Sequence, residues 1–165
     1  MRKWIVTFGG AGLLPFMPGT FGSLAATLLV GAIYYALAPS FAVWQLVLAL
    51  GIVAFSTLCV VTGPFAIEHF QRKDPGPMVL DEAAGICLTL LMLPIAPGIA
   101  GIKTLTAAFI AFRFFDIVKP PPAPQLERLP LGWGILLDDL AAAVYANILC
   151  QMALRLWLLK GLSHG

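Results

Sequence analysis

The distribution of apolar and polar positions divides the chain into long apolar runs separated by two polar loops. We predict a first membrane-spanning helix over Phe21–Leu37, with Thr20 or Ser23 as its N-cap. A second span is predicted over Val43–Val61, and it can continue as far as Phe70. Each run approaches the roughly 20 residues that cross a bilayer.

The next apolar segment follows the polar loop of residues 68–80. A third helix is expected to begin at Asp81 or Glu82 and to bend or end at Pro94 and Pro97, because proline removes a helical hydrogen bond. A further short helix, tilted or half-buried, is predicted from Thr104 to Val118, since this segment contains charged residues.

The last third of the chain combines a proline-rich loop with an apolar run. Residues 119–134 contain too many prolines for a regular helix. We predict the final span over the apolar residues 135–159. The whole pattern indicates an all-α, polytopic bundle of four to five membrane helices forming one domain over residues 1–165, with no internal repeat.

Composition supports the membrane class and excludes others. The chain is 60% hydrophobic and 11% charged, and its mean hydropathy is +0.93, which excludes an ordinary soluble fold. The net charge of +2 is too small to suggest a nucleic-acid partner. The cysteines lie in apolar runs without CxxC spacing, so we interpret them as reduced core residues (Cys59, Cys87 and Cys150).

The basic residues predict the orientation of the bundle. They concentrate at the N-terminus and in the two long loops (Arg2, Lys3, Arg72, Lys73, Lys119 and Arg128). By the positive-inside rule these segments face the cytoplasm. Five helices would put the C-terminus on the other side, and Arg155 and Lys160 oppose that placement. Four and five helices therefore both stay open.

The acidic residues all belong to the same predicted face. Each of the eight lies in or near one of the two long loops (Glu68, Asp74, Asp81, Glu82, Asp116, Glu127, Asp138 and Asp139). Glu68, Asp74 and Glu127 are expected to be solvated loop charges. The other carboxylates, gathered near a low-dielectric surface, repel one another unless protons or a cation neutralise them. Oxygen ligands suit a hard divalent ion, Mg²⁺ first and Ca²⁺ or Mn²⁺ next.

Two basic residues accompany Asp116. Arg113 lies three residues before it, on the same helix face, and Lys119 lies three residues after it. Carboxylates, a metal ion and neighbouring cations would form a phosphate site, to which the glycine-rich segment 8–23 could add backbone N–H donors. A structural interpretation also exists. Acid pairs cap helices, Arg113 could extend towards headgroups, and Lys119 could be a membrane anchor.

Four stretches of the chain, GLLPFMPGTFGSLAA, DPGPMVLDEAAG, FRFFDIVKPPP and GWGILLDDLAAAVYANI, resemble the phosphatidylglycerophosphatase A family. The resemblance extends from about Gly9 to Ile148. It implies Mg²⁺-dependent hydrolysis of phosphatidylglycerophosphate, a phospholipid, to phosphatidylglycerol and phosphate, at the bacterial inner membrane. The family commonly has KPWP where this chain has KPPP at residues 119–122, so one aromatic contact is absent.

The residue inventory agrees with that activity. The chain has no Cys-x5-Arg motif, no DxD motif, no P-loop and only two histidines, which leaves a metal-activated water. We expect Mg²⁺ to be held by the two acid pairs (Asp81, Glu82, Asp138 and Asp139). Asp116 would be a further ligand or the general base. The predicted catalytic residues are therefore Asp116, Asp81 and Asp139. Substrate phosphate would be contacted by Arg113 and Lys119, and by Thr20 and Ser23 unless they only cap the helix.

Two other functions stay open from sequence. A divalent-cation transporter would also place acids in a membrane bundle, although it favours charges near the midplane and often an internal repeat. A non-enzymatic membrane scaffold would use the acids only as helix caps. The sequence leaves the oligomeric state undetermined.

Overall fold

The computed structural model describes residues 1–163, with side chains through residue 156. This part of the chain is all-helical and has no β-strand, which confirms the predicted class. The helices are α1 (Arg2–Val6), α2 (Pro18–Leu37), α3 (Phe41–Phe70), α4 (Leu80–Leu90), α5 (Ile99–Val118), α6 (Ala123–Leu126) and α7 (Gly132–Ser163), with a 3₁₀ segment at Phe8–Leu13.

Within the described residues, three helices are long and apolar enough to cross a membrane: α2, α3 and the Gly132–Leu156 part of α7. This is fewer than the four to five expected. At 11 residues, α4 is only about 16 Å long and cannot cross a bilayer as a helix. At 20 residues α5 is long enough, but it carries Lys103, Arg113 and Asp116.

The predicted N-cap of α2 is wrong. The helix begins at Pro18, with Met17 in the N-cap position, so Thr20 and Ser23 both lie inside it. Proline suits the first helical position because its fixed φ matches the helix and its missing N–H has no partner there. The Ser23 hydroxyl instead donates to the carbonyl of Gly19 at 2.7 Å, within the helix.

The proline-rich segment is more helical than expected. It contains the short helix α6, in whose first turn proline is tolerated, and α7 already begins at Gly132. The early start of α7 has a consequence for the acids. Asp138 and Asp139 lie in its second turn, too far from the helix start to cap it.

The core of the bundle is built around α4, of which every residue except Leu88 is buried. It packs against α3 and α7. A Cβ added at Gly85 would lie 2.4 Å from the Phe112 ring, so α4 and α5 approach closely there. The thiols of Cys59 and Cys87 are free and buried, as predicted for core residues.

Helix α4 corresponds to the third predicted helix. It ends at Leu90, before Pro94 and Pro97, the two prolines that we expected to bend or end it. Its last carbonyls are satisfied by the side chain of Asn147 on α7. The amide nitrogen donates to the carbonyls of Leu88, Thr89 and Leu91 at 3.3, 2.9 and 2.7 Å. Non-helical backbone is tolerated inside an apolar bundle only with such partners.

After α4, residues 91–98 continue to the opposite end of the bundle. There the hydroxyl of Tyr34 donates to the Ile95 carbonyl and that of Tyr35 donates to the Gly98 carbonyl at 2.8 Å. The first turn of α4, with Asp81 and Glu82, therefore stays at the end of the bundle where α2 begins and α5 ends.

Candidate active site

A cavity of about 280 Å³ lies at this end of the bundle and collects the acidic residues. Its lining includes six acids and two bases: Asp74, Asp81, Glu82, Asp116, Asp138, Asp139, Arg113 and Lys119. The structure thus brings together all the residues to which we assigned a metal-binding or catalytic role. They come from the 71–79 loop, α4, the end of α5 and α7.

Three of the carboxylates form the tightest group. One oxygen each from Asp81, Glu82 and Asp139 lies within 4.8 Å of the other two. These residues are 6%, 7% and 5% exposed. The first turn of α4 supplies two of them and α7 supplies the third. Oxygen atoms at this spacing can share one cation.

The unpaired oxygens of this group indicate what it could bind. Asp81 Oδ1, Glu82 Oε2 and Asp139 Oδ2 are buried and have no hydrogen-bond partner. Burial raises the pKa of Asp81 well above its usual range, and the neighbouring Glu82 charge raises it further. Burial likewise raises the pKa of Glu82. Carboxylates in such a place need protons or a cation, and an all-oxygen donor set fits Mg²⁺.

Asp138 does not belong to the three-carboxylate group. Its Oδ2 accepts a hydrogen bond from Lys119 Nζ at 2.7 Å, and the same amine lies 3.2 Å from Glu127 Oε2. Burial alone would lower the pKa of Lys119, but the hydrogen bonds to Asp138 and Glu127 and the charges of these two carboxylates together outweigh it and raise that pKa. Lys119 is therefore a charged amine at the cavity wall, and Asp138 holds it there.

Arg113 and Asp116 form an ion pair one helical turn apart, which confirms that they share a face of α5. Their side chains are 15% and 14% exposed, so Arg113 points into the cavity region and not along the bilayer. Arg113 Nη1 also lies 3.5 Å from the Ser23 hydroxyl. Its Nε is buried without a partner, which leaves the guanidinium capacity to bind an anion.

The contribution of α2 differs from the expected one. Ser23 is fully buried and reaches the site only through Arg113. Thr20 Oγ1 is buried and has no hydrogen-bond partner. Gly19, which we did not single out, lines the cavity. A Cβ there would lie 2.5 Å from Glu82 Oε1 and 3.1 Å from Arg113 Nη1. The sequence feature that could have indicated Gly19 is the PGT sequence at the start of α2.

Two acids expected to be solvated loop charges lie at the site. Asp74 is exposed, as expected, and it also lines the cavity. Glu127 has a 43% exposed side chain and also contacts Lys119. For Asp74 a signal existed, because it opens the DPGPMVLDE stretch that ends in Asp81 and Glu82. Glu127 had no comparable signal in the proline-rich loop.

This arrangement can bind a phosphate group beside a metal ion. The three buried carboxylates offer a cation site, and Arg113 and Lys119 supply positive charge on the same cavity. Cations help most where negative charge accumulates on phosphoryl oxygens during transfer.

Comparison with known proteins identifies the family. A sequence model of phosphatidylglycerophosphatase A matches residues 4–154. The phosphatidylglycerophosphatase A of Haemophilus influenzae is 36% identical over 158 residues, covering 91% of this chain and 86% of that protein. The Escherichia coli K12 protein of the same name is 37% identical over 139 residues, covering 82% and 73%.

A third relative carries a different name. A Bacteroides thetaiotaomicron protein described as a putative phosphatidylinositol-3-phosphatase is 33% identical over 144 residues, covering 87% of each chain. No solved structure matches. The match over nearly the whole chain establishes that this protein is a lipid phosphatase of the membrane and belongs to the phosphatidylglycerophosphatase A family.

Proposed function

We propose that the protein hydrolyses phosphatidylglycerophosphate to phosphatidylglycerol and inorganic phosphate. The observation that carries the proposal is the group of three buried carboxylates with unpaired oxygens, next to two cations in one cavity. Two relatives that bear the name of this activity support the choice of substrate.

Asp81, Glu82 and Asp139 would hold Mg²⁺, because one oxygen from each converges with the others and each residue has a buried oxygen without a partner. Asp138, which we also expected as a ligand, would act on the ion through its other oxygen or through water, since Lys119 occupies Oδ2. When bound, Mg²⁺ would offset phosphate charge and lower the pKa of a coordinated water.

The other cavity residues would position the phosphate and the nucleophile. Arg113 and Lys119 would neutralise charge on the phosphoryl oxygens. Asp116 would accept the proton of the attacking water as general base, held in place by its ion pair with Arg113. A new bond would form between the water oxygen and phosphorus, while the bond from phosphorus to the glycerol oxygen breaks and that oxygen takes up a proton.

The location of the cavity suggests how a lipid is reached. The site lies at one end of the bundle, so acyl chains could stay in one leaflet while the headgroup enters. Basic residues of the N-terminus and the 71–79 loop belong to the same end (Arg2, Arg72 and Lys73). By the positive-inside rule this end would face the cytoplasm of the bacterial inner membrane.

The test is phosphate release from phosphatidylglycerophosphate by the purified full-length protein in uncharged mixed micelles, with Mg²⁺ or with EDTA. Phosphatidylinositol 3-phosphate is the comparison substrate, given the name of the Bacteroides relative. We expect Mg²⁺-dependent release and a preference for phosphatidylglycerophosphate. No release from folded protein would overturn the proposal.

Two variants test the residues. Asp81→Asn and Asp139→Asn each remove one charge of the three-carboxylate group, and we expect a loss of turnover of about 10³-fold or more. Glu68→Gln is the matched control, because Glu68 is exposed and does not line the cavity. Full activity in both Asp variants would remove these residues from the mechanism.

A further inference from the structure

A second groove of about 410 Å³ lies next to the catalytic cavity. Leu13, Leu14 and Pro18 from the N-terminal segment form one side, and another is formed by Phe70 at the end of α3 and Arg72 in the loop that follows it. Gly76 lines both the groove and the cavity. The two spaces are therefore neighbours that share Gly76 in their linings.

The segments around Gly76 are closely packed. A Cβ at Gly76 would lie 3.2 Å from Pro18 Cγ, and one at Gly12 would lie 2.2 Å from the Pro77 carbonyl oxygen. The backbone N–H of Val79 donates to the Val6 carbonyl at 3.0 Å. The N-terminal segment and the 75–79 segment thus hold the groove in a fixed position relative to the cavity.

The groove and the cavity differ in charge. Six acids and two bases line the cavity, whereas Arg72 is the charged residue that lines the groove. Among the described side chains, Arg72 has no ion-pair partner. An anionic group can therefore bind in the groove without repulsion from a carboxylate of its walls.

Apolar side chains lead from the groove to the surface of the molecule. Leu13 and Leu14 are 38% and 43% exposed, and the neighbouring Phe16 and Met17 are 79% and 62% exposed. This places a cation next to exposed apolar residues at the end of a membrane bundle. A phospholipid fits such a surface, because its charged headgroup can contact the cation while its acyl chains contact the apolar residues.

We propose that this groove binds the phosphodiester of the lipid whose terminal phosphate occupies the catalytic cavity, with Arg72 as the contact. The inference rests on the proposed function, because phosphatidylglycerophosphate carries both a phosphodiester and a terminal phosphomonoester, joined by a glycerol. Two adjacent spaces with separate cations fit these two phosphates. Arg72 is then a specificity-determining residue that takes no part in bond breaking.

Each of the two reaction products tests binding in one of the two spaces. Phosphatidylglycerol keeps the phosphodiester and belongs in the groove, whereas inorganic phosphate belongs in the cavity. Inhibition constants for both products are measured in mixed micelles with phosphatidylglycerophosphate as substrate. The proteins are wild type, Arg72→Gln, Arg72→Lys and the control Arg128→Gln. Arg128 is exposed on the same end and lines neither space.

We expect Arg72→Gln to raise the KM for substrate and the inhibition constant of phosphatidylglycerol about tenfold, as for loss of one charge-assisted hydrogen bond. The inhibition constant of phosphate and kcat stay unchanged, and Arg72→Lys recovers part of the effect. Arg128→Gln behaves as wild type.

Several outcomes would overturn the inference while leaving the proposed function intact. These are equal product inhibition in wild type and Arg72→Gln, an equal loss in Arg128→Gln, or no inhibition of the wild type by phosphatidylglycerol. A fall of kcat in a folded Arg72→Gln protein would also contradict it. If the wild type releases no phosphate from this lipid, the proposed function itself fails.

Discussion

Replacing Gly19 by alanine tests whether the backbone of α2 sets the geometry of the carboxylate site. The added Cβ would lie 2.5 Å from Glu82 Oε1, and 3.1 and 3.4 Å from the two terminal nitrogens of Arg113. Ordinary contact requires a separation larger by about 1 Å, so Glu82 or the start of α2 must move.

Glu82 has little room to move, because it is 7% exposed and one of its two oxygens belongs to the three-carboxylate group with Asp81 and Asp139. A displacement of about 1 Å at a catalytic site can reduce the rate about 10²-fold. We therefore expect Gly19→Ala to lower kcat by about that factor and to weaken Mg²⁺ binding, while the protein stays folded.

The assay is Mg²⁺-dependent phosphate release over a range of Mg²⁺ concentrations, together with thermal unfolding. Gly31→Ala is the matched control on the same helix, since its Cβ would meet only the end of the Leu105 side chain, at 2.9 Å. Activity of Gly19→Ala close to that of Gly31→Ala, with unchanged Mg²⁺ dependence, would refute the argument that Gly19 sets the site.

Three further predictions concern stability. Lys119→Met leaves the buried Asp138 carboxylate without its cation and should lower the free energy of unfolding by about 2 kcal/mol. This is less than for a fully buried pair, because Lys119 is 29% exposed. Adding Asp138→Asn should restore most of the lost stability, and additive losses in the double variant would contradict the pairing. Asn147→Leu should destabilise by about 1–3 kcal/mol, because three carbonyls at the end of α4 lose their donor; Met152→Leu, at an exposed position on the same helix, is the control, and equal melting temperatures of the two variants would disprove this role. Because burial raises the pKa of Asp81 and Glu82, the metal-free folded protein binds more protons than the unfolded chain. Its melting temperature in EDTA should therefore fall as pH rises above about 4, while stabilisation by Mg²⁺ grows; a melting temperature in EDTA that rises with pH would contradict this sign.

The course of α4 shows where pattern reasoning fails. Pro94 and Pro97 suggested that the helix would end near them, yet it ends at Leu90. The reason is not local. The side chain of Asn147, more than fifty residues away in the chain, donates hydrogen bonds to the carbonyls that lose their helical partners at the end of α4. No window of sequence contains both partners.

Asp74 illustrates the same limit for the site. A charged residue beside proline and glycine in a polar loop has the composition of a solvated turn. Its place on the cavity wall depends on how the 71–79 loop folds over the start of α2. Conversely, Arg113 and Asp116 were correctly placed on one face, because the spacing of three residues on a helix fixes that relation locally.

The amino-acid sequence determines the helical membrane class, the collection of acids near two loops and the family resemblance, because these depend on local hydropathy, periodicity and contiguous motifs. Only the tertiary structure selects Asp81, Glu82 and Asp139 as the group of converging oxygens and pairs Asp138 with Lys119. The physical reason is that distances between side chains on different helices follow from how those helices pack. Gly19 and the Arg72 groove likewise become visible only when separate segments meet.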